Sequence, residues 1–149
     1  MTFFAFEADF VQSLRCIPMQ VRYKLDTCGV KLKLAHWHSL TAEERQQLVV
    51  LPCDGPETAA PYRDYLQACV TAHTGAAAGL LPVDPDPPWA QVDQIPAAVR
   101  QKLDDSDQRL TLAQWAALSP LQRFALIKLS RPSHENRNFG PALQEFLGQ

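Results

Sequence analysis

The sequence predicts an all-α fold in which two pseudo-repeated helical halves, each of about three or four short helices, pack into one compact domain. The first observation behind this is internal repetition. Ile17 to Leu51 aligns with Ile95 to Leu129 at a constant offset of 78, without a gap, and 15 of those 35 positions are identical. Residue frequencies alone would give roughly 2 or 3 matches in such a window. The second observation is that apolar residues in both copies recur at the three- and four-residue spacing of a helix face. The third is that no sustained β-branched alternation and no hairpin turn signal appears; Asp54-Gly55 is followed by Pro56 and a helical stripe. The first repeat is expected over about residues 11–74 and the second over about 89–149, joined by a proline-rich connector at 75–88.

In chain order, an N-terminal helix carrying Phe6, Phe10 and Leu14 is expected to cover one side. The first repeated helix opens at Ile17-Pro18 and again at Ile95-Pro96, where proline suits the first turn because its missing N–H has no partner to lose. Val21 and Leu25, like Val99 and Leu103, then share a face. Gly29 offers a left-handed stop in the first copy, and Asp104 to Asp107 offer polar turn chemistry in the second. A short helix follows around Leu34 to Leu40 and around Leu112 to Leu118. The next helix starts with a capping box in both copies, Thr41-Ala-Glu-Glu44 and Ser119-Pro-Leu-Gln122. Tyr62, Tyr65, Leu66, Cys69, Val70 and His73 mark a further helix that Gly75 ends, with Ala142 to Leu147 as its shorter counterpart. The connector, with prolines at 82, 85, 87 and 88, reads as extended chain with little internal structure.

The repeated apolar residues need only a packing explanation, and Trp37 and Trp115 are expected to anchor the core. The repeated charges, Arg22, Asp26 and Arg45 in one copy and Arg100, Asp104 and Arg123 in the other, ask for more. An exposed i, i+4 pair such as Arg22 with Asp26 contributes only about 0.2–0.5 kcal/mol. The better account is that Arg45 or Arg123 reaches the aspartate from the later helix and ties two helices together. The functional alternative is an anion site built from the repeated arginines.

All four cysteines and three of four histidines lie in the first half. Thiolates and imidazoles are metal and iron–sulfur ligands, so Cys16, Cys28 and Cys53 are the candidates for a thiol-based metal or cluster carrier. Their spacing contains no Cys-x-x-Cys, and the second copy replaces them with Gln94, Ser106 and Arg131. No resident metal or cofactor is therefore expected. Cys16 and Cys28 flank one helix and would meet only if the fold bent there. No phosphate loop, nucleophile elbow or His-Glu-x-x-His pair occurs, Glu44 is explained by capping, and His134-Glu135 sits in a polar loop, so no enzyme is expected.

The formal net charge is −2 and no basic block appears, which argues against a nucleic-acid partner. Glu7 and Asp9 interrupt the first apolar run, and no stretch has the length of a membrane span, so a cytoplasmic protein with reduced thiols is expected.

The run from Phe4 to Leu34, with Leu14-Arg-Cys-Ile-Pro-Met19 at its centre and followed by Trp37 and Leu40, resembles the nitrate reductase-associated proteins, a family of small bacterial proteins. The resemblance is strongest over residues 4–53, and the second half follows it more loosely through Trp115, Arg123 and Leu126. It implies an accessory factor of assimilatory nitrate reduction, with nitrate reductase or its assembly intermediates as partner. It carries no catalytic residue set, and it places Cys16 inside the matching run.

Overall fold

Each repeated helix begins where proline ends an extended stretch. In the computed structural model, which describes residues 4–7, 16–132 and 137–148, Pro18 and Pro96 stand immediately before their helices, one position earlier than the first-turn placement the sequence predicts. The chain divides into two compact units, Met1–Val83 and Asp84–Gln149, with the division inside the proline-rich segment.

The first unit contains α1 (Met19–Cys28), β1 (Val30–Lys31), α2 (Leu34–Ser39), α3 (Ala42–Val50), α4 (Pro56–Thr74) and β2 (Gly79–Leu80), preceded by a 3-10 turn at Ala5–Glu7. The long α4 packs against α1, α2 and α3. Val21, Leu25, Trp37, Leu48, Tyr62 and Leu66 meet in the resulting core. Thr41 and Glu44 form the reciprocal cap of α3: the Glu44 amide donates to Thr41 Oγ1 at 3.1 Å and the Thr41 amide to Glu44 Oε1 at 2.8 Å.

Two features of the chain path depart further from the sequence reading. The first concerns the connector. Val30 pairs with Leu80 and Lys31 with Gly79 in an antiparallel ladder, so among the described residues the fold is mostly helical with one two-stranded sheet. Gly29 makes this possible. Its φ of 78° ends α1 in the left-handed region, and a Cβ there would lie 2.8 Å from the Leu81 carbonyl oxygen. Gln67 on α4 holds the same segment by both sides of its amide, accepting from Ala78 N at 2.7 Å and donating to Ala78 O at 2.9 Å. The start of the connector is thus pinned to the first unit by backbone pairing.

The second departure is at the N-terminus. Ala5–Glu7 is a 3-10 turn, while Phe10 and Leu14 of the expected helix lie outside the described residues. Glu7 does more than interrupt an apolar run. It is 1% exposed, and its carboxylate accepts from the Met19 amide at 2.8 Å, at the first turn of α1. A carboxylate there satisfies an orphan donor and opposes the positive end of the helix dipole.

The second unit contains a 3-10 turn at Pro88–Ala90, then α5 (Ala97–Asp105), α6 (Leu112–Ala117), α7 (Pro120–Ser130) and α8 (Phe139–Phe146). α7 packs against the turn, α5 and α8. Phe124, Leu126, Trp115 and Phe139 are fully buried, and Trp89 meets Phe124 edge-on with ring centroids 5.0 Å apart. Ser119 and Gln122 cap α7 reciprocally. Thr111 and Gln114 do the same for α6, a capping box the sequence reading passed over.

The repeated arginines bind backbone carbonyls. Arg45 donates from Nε to the Trp37 carbonyl and from Nη2 to the His38 carbonyl, both at 3.0 Å, at the end of α2. Arg123, 5% exposed, donates to Trp115 at 3.5 Å, Ala116 at 3.4 Å and Leu118 at the end of α6, and to Trp89 at 2.6 Å. The acceptors are therefore carbonyls where the sequence reading looks to Asp26 and Asp104. Arg22 and Arg100 donate from Nε to the Ile17 and Ile95 carbonyls just before their own helices, at 3.0 and 3.1 Å.

Replacing Arg123 by Met keeps the apolar stem and strands several buried acceptors, so it is expected to cost about 3 kcal/mol of stability, against about 1 kcal/mol for Arg45→Met at its partly exposed site. Urea or thermal unfolding of the two variants beside the parent checks the ranking.

Candidate functional site

The densest group of reactive side chains lies where the ends of α1 and α3 meet α4. Helix α3 leaves its last carbonyls without helical partners, as every helix does. Side chains from α1 and α4 take them. Lys24 Nζ donates to Val49 O at 2.7 Å and Leu51 O at 2.6 Å, Gln20 Nε2 to Val49 O at 3.2 Å, and Tyr62 Oη to Leu48 O at 2.7 Å. Lys24 also stands 5.7 Å from the Tyr62 ring centroid. Burial lowers the Lys24 pKa, opposed by Cys53 and Asp54, and burial raises the Tyr62 pKa well above the ordinary phenol range.

Cys28 and Cys53 sit against this cluster in the core of the first unit, each 2% exposed, and each thiol influences the ionisation of the other. The same two thiols donate to consecutive carbonyls of the last turn of α1: Cys53 Sγ to Lys24 O at 3.4 Å and Cys28 Sγ to Leu25 O at 3.7 Å. The neighbouring Cys53, with Arg63 adding to it, lowers the Cys28 pKa. The Cys53 pKa is raised by the neighbouring Cys28 and by burial.

Cys16 is elsewhere. It lies before the start of α1, whereas Cys28 is the last residue of that helix. The three first-half thiols do not meet at one point. Among the described residues, no three His, Cys, Asp or Glu side chains form a group that could hold a metal ion.

A second cluster joins the start of α3 to the middle of α4. Tyr65, Cys69 and His73 follow one another at four-residue steps, and Glu44 reaches across to them, with Oε1 2.8 Å from His73 Nε2. The Thr41 amide, with the Cys69 thiol and His73, holds the Glu44 carboxyl down at about 2. The same contact works the other way on Cys69, whose pKa is raised by burial and by the Glu44 carboxylate. Burial and Cys69 push the Tyr65 hydroxyl up to about 12. A thiol held neutral beside a carboxylate is a poor nucleophile. This cluster therefore fastens α3 to α4.

In the second unit, a shallow depression is lined by Ile95, Arg100, Leu103, Asp104, Gln108 and Arg109. It brings Arg100 and Asp104 together on one surface. Arg123, by contrast, is inside the fold on backbone carbonyls. The four repeated arginines of the expected anion site thus all donate to carbonyls of their own unit. His134 and Glu135 lie outside the described residues.

Residues 3–146 match the family profile of conserved nitrate reductase-associated proteins. The chain belongs to that family. The match takes in both clusters and both repeated arginine sites, and it extends well past the stretch on which the sequence resemblance is strongest. No curated protein and no solved structure matches this nitrate reductase-associated protein. Among its described residues, no helix is long and apolar enough to cross a membrane.

The Glu44 contact has a definite pH signature. Its folded value of about 2 lies below the ordinary 4.5, so the ionised carboxylate contributes stability above pH 4.5 that is lost as pH falls towards 2. Glu44→Gln keeps a capping residue of the kind Gln122 supplies to α7 and removes the charge. The stability gap between parent and variant is expected to be constant above about pH 5, to shrink below it and to close near pH 2, as read by unfolding at stepped pH.

Proposed function

We propose that this protein is a cytoplasmic, non-catalytic accessory factor that supports assimilatory nitrate reductase through protein–protein contact. It holds the reductase, or an assembly intermediate of it, in a form competent for cofactor insertion. The observation that carries this reading is the family match over nearly the whole chain. Apolar surface available for contact supports it: Leu34 is 49%, Leu80 72% and Val83 54% exposed in the first unit, and Leu112 is 47% exposed in the second. The carrier reading would need Cys16, Cys28 and Cys53 in one place, and among the described residues no three His, Cys, Asp or Glu side chains form a group that could hold a metal ion.

We also propose that the two units descend from one duplicated three-helix unit. The helix starts support this: Met19, Leu34 and Ala42 correspond at the sequence offset to Ala97, Leu112 and Pro120. So does the shared chemistry, in which an arginine early in the third helix binds the Trp carbonyl of the second. Leu34 and Leu112 open the short helix of each unit, and both are about half exposed. Their matched exposure makes them the first positions to test for partner contact.

The test is nitrate reductase activity in cells with and without this chain, normalised to reductase protein. At least a tenfold loss of specific activity is expected, with reductase protein retained. Unchanged specific activity would rule the accessory role out. Leu34→Glu and Leu112→Glu change exposed side chains and leave the caps intact, so folded variants that lower activity would locate the contact.

A further inference from the structure

Cys28 and Cys53 form a pair that the packing of the fold does not call for. At the sequence offset of 78 their positions hold Ser106 and Arg131 in the other half, so the repeated helices form without sulfur at either place. The two thiols come from the end of α1 and from the segment between α3 and α4, meet in the core of the first unit, and are both reduced. Consecutive carbonyls, of Lys24 and Leu25, each take one of the two S–H groups. Both sulfurs are thus tied to neighbouring residues of the last turn of α1.

We propose that Cys28 and Cys53 are a reversible dithiol–disulfide site, closed by hydrogen peroxide and reopened by a dithiol reductant. In the first step the Cys28 sulfur attacks a peroxide oxygen. The O–O bond breaks, and the leaving hydroxide becomes water with the Cys28 proton. Cys28 is then a sulfenic acid. In the second step the Cys53 sulfur attacks the Cys28 sulfur, the S–S bond forms and the S–O bond breaks. The departing hydroxide takes the Cys53 proton as a second water. Two thiols lose two electrons in all, and one peroxide is reduced to two waters. Cys28 suits the attacking role because its thiolate is the favoured one, with Arg63 as a nearby cation. Cys53, whose thiol donates to the carbonyl adjacent to the one Cys28 uses, suits the resolving role. The low exposure of both sulfurs restricts the first step to a small oxidant or to a local opening of the unit. Closure would staple the end of α1 to the start of α4, across the contact that orders the first unit.

The test is disulfide mapping of the full chain after brief treatment with equimolar hydrogen peroxide, followed by alkylation of the remaining thiols and digestion. The native protein is expected to yield a Cys28–Cys53 cross-link that dithiothreitol removes, with Cys69 still alkylated. In denaturant, pairing follows chain separation. Cys16 and Cys28 are 12 residues apart and Cys53 and Cys69 are 16 apart, against 25 for Cys28 and Cys53, so the shorter loops should dominate. In Cys53→Ser the sulfenic acid should persist on Cys28 and be trapped by dimedone. The proposal is overturned if the native chain gives no Cys28–Cys53 cross-link, or if native and denatured chains give the same pairing. Both readings come from the parent protein, so neither depends on the variant folding, and neither depends on any role in nitrate reduction.

Discussion

Each unit depends on an arginine bound to the carbonyl end of a six-residue helix. A helix that short does not stand alone in water, because nucleation is costly and few hydrogen bonds follow it. Its last carbonyls are also unsatisfied. Arg45 and Arg123 answer both problems with one group, placing a cation at the negative end of the dipole and filling the empty acceptors. The carbonyl they share in each unit is that of the tryptophan, which is itself fully buried. Core packing and helix termination are therefore coupled through a single residue, and α3 and α7 take their places from it.

The two units have elaborated this arrangement differently. In the second, Arg123 is buried and also reaches the Trp89 carbonyl, which draws the Pro88–Ala90 turn onto α7. In the first, Arg45 stays partly exposed, and the greater investment is at the far end of α3. There Lys24, Gln20 and Tyr62 repeat the carbonyl-binding device with other side chains. The nineteen-residue α4 supplies the surface for this. It also brings Tyr62 and Arg63 beside the two thiols, so the reactive chemistry of the chain collects in the unit with the longer helix.

The helix plan was legible because its signals are local. Proline before α1 and α5, Gly29 and Gly75 after α1 and α4, and the boxes at Thr41 and Ser119 all act within four residues. The box at Thr111 and Gln114 carries the same local signal, a hydroxyl residue with Gln three places on. What the arginines bind was not legible, since a carbonyl has no letter in the sequence; an aspartate four residues away looked like the natural partner. The Cys28–Cys53 contact was hidden for a related reason. It depends on how α1, α3 and α4 pack, whereas sequence proximity favoured Cys16. The Val30–Leu80 ladder is two residues long and joins segments fifty residues apart, too little pattern for a strand to declare itself.

The account rests on the arginine holding the short helix, and amide hydrogen exchange on Arg123→Met tests that most directly. The Trp115 amide, bonded to the Thr111 carbonyl at 3.0 Å, and the Leu118 amide, bonded to Trp115 at 3.1 Å, report on α6 and its end. The Leu147 amide, bonded to Leu143 at 3.0 Å, reports on α8. The account requires Trp115 and Leu118 to lose protection by a larger factor than Leu147. Equal losses at all three, or none, would contradict it, because the short helix would then be held by something other than the guanidinium.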